Sequence, residues 1–106
     1  MSFRNLELTE DNRHKLALWF RGSDEARLHM LARQWIEANL DLVERKSEKS
    51  GNCYSEGMQV YRRKDGRPID ADTLDALNTH KLGQVNKVRQ VNEMTVERFW
   101  ACDSSG

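Results

Sequence analysis

The chain has 106 residues with 17 basic and 17 acidic side chains, so its formal net charge is zero and the marked basic excess of a general nucleic-acid binder is absent. Hydrophobic residues make up 38% and charged ones 32%, a polar balance for a small fold that must stand alone. A domain of this size buries roughly 60–70% of its unfolded surface, which leaves little room for a water-excluding catalytic pocket and favours burial against a partner.

The opening "MSFRNLELTEDNRHK" lacks the apolar core of a secretory signal. No run approaches the ~18 apolar residues of a membrane span. The expectation is one cytoplasmic domain over residues 1–106, with 102–106 as a frayed tail and no membrane association. Cys53 and Cys102 are the two cysteines, and a reducing cytoplasm favours free thiols over a bridge between them.

Thr9 is placed to cap a helix that opens with Glu10 and Asp11, acidic side chains suited to the positive end of the helix dipole. Leu16, Trp19 and Phe20 recur at helical spacing, and Gly22 is a stop signal. Ser23 then caps a second, longer helix over 23–46, whose stripe runs through Leu28, Leu31, Ala32, Trp35, Ile36, Ala38, Leu42 and Val43. Residues 47–57, "SEKSGNCYSEG", read as loop. In "MQVYRRKDGRPID" the Asp65–Gly66 pair is a tight-turn signal, which predicts a short β-hairpin near residues 58–69. Asp70 or Asp72 caps a third helix that Gly83 weakens or divides. Val85, Val88, Val91, Met94, Val96, Phe99 and Trp100 follow; "MTVERFW" alternates like a strand, yet helix is favoured here. The expected fold class is mostly α, a helical single domain with one hairpin.

The stripe of the long helix spans roughly 160° of its wheel, already enough for a compact domain. Met30 falls on the opposite side beside Glu37 and Asp41, Leu40 lies off the margin, and Leu18 points away from Trp19 and Phe20. Val91 and Met94 likewise cannot share a face with Val85, Val88 and Phe99. Surplus apolar positions on several elements predict a protein–protein interface. Leu18, Met30, Arg33, Trp35, Glu37 and Leu40 are the candidate partner-binding residues. Val85, Val88, Val91, Met94, Phe99 and Trp100 are the candidates for self-association, with the tryptophans as energetic anchors.

Catalytic and metal chemistry find no footing. His14, His29 and His80 have no second ligand at a metal-site spacing, no base is placed beside either thiol, and Asp70, Asp72 and Asp75 sit where helix capping explains them. The expectation is neither an enzyme nor a cofactor or metal binder. The basic run "YRRKDGR", with Arg62, Arg63, Lys64 and Arg67, and the segment "TLDALNTHKLGQ", loosely like a helix-turn-helix, supply the alternative: a small DNA-binding regulator.

The stretches "NRHKLALWFRGSDEARLHMLARQWIEANLDL" and "RPIDADTLDALNTHKLGQVNKVRQ", about half of the chain, resemble small quorum-sensing antiactivators that act on LuxR-type receptors. The resemblance implies a homodimer that binds the ligand-binding domain of a LuxR-type transcriptional activator at its dimerisation surface. The receptor is thereby kept from DNA, and the inhibitor itself need not touch nucleic acid. No functional residue carries over by position; the interface residues rest on the helical wheel alone.

Overall fold

In the computed structural model, residues 2–19, 24–50, 53–81 and 85–101 are described, with backbone alone at 19, 47–50 and 53–55. A 3₁₀ turn, Phe3–Asn5, leads to α1 (Glu10–Trp19) and α2 (Asp24–Asn39). Two long strands follow, β1 (Leu40–Ser50) and β2 (Cys53–Arg63), then α3 (Ala71–Thr79), β3 (Val85–Asn92) and β4 (Thr95–Ala101). The strands form one antiparallel sheet in the order β1-β2-β4-β3. This is a mixed α/β fold, and the expectation of a mostly helical domain is corrected by it.

Three local readings change with the fold class. The second helix stops at Asn39, whose side-chain amide donates to Trp35 O at 2.9 Å, and Leu40–Ser50 pairs with β2 instead of extending the helix. Residues 47–50 and 53–57, read as loop, belong to that strand pair. Asp65–Gly66 does make a tight turn, with Gly66 at φ 74°, but the chain leaves it for α3, so no hairpin forms at 58–69. The segment 85–100 is a β-hairpin and not a helix: β3 and β4 pair from Val85↔Ala101 to Asn92↔Thr95. The Gly22–Ser23 joint, Gly83, Cys102 and the tail lie outside the described residues, as does the side chain of Cys53.

Other signals hold. Thr9 Oγ1 accepts from Asn12 N at 3.2 Å at the start of α1, and Asp70 Oδ1 accepts from Thr73 N at 2.9 Å at the start of α3.

Cross-strand partners share a face, so the register sorts the sheet. Tyr61, Val96, Arg98 and Val88 lie on the face under α2 and α3, where Trp35, Ile36, Ala76 and Leu77 complete the core. The N-terminal segment is tied on by Gln34, which donates to Glu7 O at 2.9 Å and accepts from Thr9 N at 3.2 Å, and by an Arg4–Asp75 ion pair. Phe3, fully buried, plugs the same core. The molecule measures 39 × 38 × 18 Å, the thinness of one helical layer on one sheet. Among the described residues no helix is long and apolar enough to cross a membrane.

Candidate functional site

Among the described residues no helix covers the second face of the sheet. Register places Val60 and Met58 of β2, Phe99 and Glu97 of β4, and Val85, Lys87 and Arg89 of β3 on it. Val85 is 42% exposed and Phe99 38% exposed, and Val43, Val91 and Met94 are exposed beside them. A bulge between Leu42 and Glu44 makes Val43 an extra residue of β1. Charge lies across this surface in two adjacent rows. One row reads Lys46–Met58–Phe99–Lys87 and the next Glu44–Val60–Glu97–Arg89.

Four of the six residues expected in self-association, Val85, Val91, Met94 and Phe99, are thus exposed on this β-hairpin. The other two are not: Val88 and Trp100 face the helical side. Trp100 lies over Gly57, its cross-strand partner, so closely that a Cβ on Gly57 would fall inside the indole ring.

The expected partner site on the second helix does not survive as a surface. Met30 and Trp35 are each 3% exposed and Leu40 is 4% exposed, all within the hydrophobic core. A wheel with one apolar stripe fails here because α2 is packed on more than one side, by α3, by the Phe3–Asn5 turn and by the sheet. Leu18 stands at 64% exposure on α1, and Arg33 pairs with Glu37 at 3.1 Å on the exposed side of α2. The basic run is engaged in part. Tyr61 is buried, and Arg63 bridges Asp65 at 2.7 Å and Asp70 at 2.6 Å. These ion pairs raise the Arg63 pKa, the hydrogen bond to Asp65 foremost, and hold the Asp65 carboxyl well below the usual carboxylate range.

Sequence reasoning missed a polar constellation on the helix side of the sheet. Arg98, in the middle of β4, is 1% exposed. Its Nη1 donates to His80 O at 2.7 Å and to His80 Nδ1 at 3.1 Å; its Nη2 donates to Gln59 Oε1 at 2.6 Å and to Tyr61 OH at 3.2 Å. Because arginine can only donate, His80 Nδ1 accepts and the ring proton lies on Nε2. His29 packs against His80 with ring centroids 4.6 Å apart. Burial first, then Arg98, His29 and Arg33, push His80 down to about 3; burial and the two arginines lower His29. Burial also lowers Arg98 itself. The one available signal was a charge at the inward position of the alternating "MTVERFW".

No family model matches the chain, and no curated protein and no solved structure is significantly similar to it. Among the described residues no cluster of three or more His, Cys, Asp or Glu side chains could hold a metal ion.

Proposed function

We propose that the protein is a binding module, not an enzyme, and that it meets other proteins through the open sheet face. One observation carries this reading: a sheet face that exposes Val85 and Phe99, with Val43, Val91 and Met94 exposed on the same strands and their turn. A second copy of the chain is the resting occupant. Turned about a two-fold axis that runs along the rows, the two rows face one another, so that Lys46 meets Glu44 at the β1 edge and Met58 meets Val60 beside it, while Lys87 and Arg89 share the β3 edge.

The working partner is the one the resemblance implies, the ligand-binding domain of a LuxR-type activator in the cytoplasm. Its dimerisation surface is itself an apolar patch that needs a cover. Receptor held by this protein cannot dimerise on DNA, and inhibition follows by mass action. Less favours the DNA-binding alternative: residues 71–79 form one helix that precedes a strand, and Arg63 of the basic run is engaged by Asp65 and Asp70.

The test is light scattering after size exclusion, on the protein alone and mixed with the receptor's ligand-binding domain. The expected result is a dimer that gives way to a heavier complex with receptor, and loss of both states in Val85→Asp. A monomer that leaves the receptor's elution unchanged at high concentration overturns the reading.

A further inference from the structure

A buried guanidinium needs a counter-charge, and Arg98 has none among the described residues. All four Nη hydrogens meet neutral acceptors, and Nε is a buried donor without a partner. Among the described residues no carboxylate forms an ion pair with Arg98. Such a group either lowers its stability for nothing or is completed by something from outside.

The surroundings favour completion. Arg98 borders a cavity of about 580 Å³ between α2 and the sheet, within the range of small-molecule sites. Arg33 and Arg45 also line it, against a single carboxylate, Glu37, which Arg33 already binds from an exposed position. His29 and His80 border the same space, and burial keeps both from adding charge. Gln59 and Tyr61 add polar groups to the wall, and Ile36 and Trp100 supply its apolar part. A cation is repelled by three guanidinium groups.

We propose that this cavity binds a small organic oxyanion, a carboxylate or a phosphate monoester, with its charge between the exposed Arg33 and Arg45 and facing the buried Arg98 guanidinium, which has no ion-pair partner among the described residues. Arg45 and Arg33 close over the anion from the rim, and the His80 Nε2–H and His29 are ring groups available to its remaining oxygens. The site lies on the opposite side of the sheet from the open face, so it stands or falls independently of protein binding.

The test is a titration of the full chain followed by ¹H–¹⁵N correlation spectra that include the arginine Nε–Hε region. Benzoate and inorganic phosphate are the probes, with chloride as the ionic-strength control. A saturable shift of the Arg98 Hε and Trp100 indole signals is expected. Saturation by benzoate assigns a carboxylate ligand, and saturation by phosphate alone assigns a phosphate monoester. Arg45→Gln and Arg33→Gln, at exposed rim positions that do not threaten the fold, each weaken binding about tenfold, the loss of one charge-assisted hydrogen bond. Shifts that grow linearly and equally with chloride overturn the proposal. So does saturable binding that leaves Arg98 Hε unmoved and is indifferent to both rim variants.

Discussion

Gly57 and His80 show how single residues set the helix side of the sheet. Gly57 is there because Trp100 lies across it; the missing side chain is the space the indole occupies. Gly57→Ala must evict or tilt Trp100, an overpacking that costs about 1–3 kcal/mol, and urea unfolding with tryptophan fluorescence should read both the loss and the moved indole. His80 makes a pH prediction whose sign is fixed by its depressed pKa of about 3. Above its ordinary value near 6.5 the ring is neutral in folded and unfolded chains alike. As pH falls below that value the unfolded chain takes up a proton that the buried ring, beside Arg98 and His29, refuses. Stability is therefore fully present above about pH 6.5 and is lost as pH falls toward 3, at about 1.4 kcal/mol per pH unit for one proton. His29 adds in the same direction, and Asp65 and Asp70 add their loss only lower, in the carboxylate range. Denaturation midpoints measured between pH 7 and 5 should show the slope, and His80→Gln should flatten it.

Helix starts were legible in the sequence, and strands were not, for a physical reason. Caps are local: Thr9 and Asp70 satisfy amide groups two or three residues away, so their chemistry is complete within a short window. The strands depend on partners far along the chain. Leu40–Ser50 carries the tail of a helical stripe and becomes β1 only because 53–63 lies alongside it. Val85, Val88 and Val91 step at three-residue spacing, which mimics a helix, but the bulge between Gln90 and Asn92 shifts the alternation and hides the strand. Helix α3 offers the cleanest test at this scale. Asp70 accepts from Thr73 N and Thr73 Oγ1 at its start and from Arg63 at 2.6 Å. Asp70→Ala should cost about 1–2 kcal/mol, chiefly from the lost cap, since the ion pair is partly exposed and contributes little. Asp70→Asn keeps a capping oxygen and should lose less than half as much. Equal losses in the two variants, measured by chemical denaturation, would transfer the weight to the ion pair.

For the whole molecule, the sequence announced surplus apolar surface and misplaced it. Met30, Trp35 and Leu40 are absorbed because α2 is packed on several sides, whereas the segment read as a spare helix opens out as β3 and β4 and exposes Val85, Val91 and Phe99. Compensation between the layers is absent: one sheet, one helical layer, 18 Å through. If that face is covered by a second copy, association and folding are linked, because the dimer contains no unfolded chain. The melting temperature of the wild type should then rise with protein concentration. Phe99→Asp is the variant that separates this linkage from the fold itself. Its side chain already meets solvent at 38% exposure and sits outside the core formed around Val96, so the monomer should keep its circular dichroism. A carboxylate in the apolar patch, facing Glu97 of the second copy where the two rows meet, would be repelled. The expected outcome is a melting temperature that no longer depends on concentration and equals that of the dilute wild type. A concentration-independent wild type would leave the sheet face without a second copy to cover it, whatever else binds there.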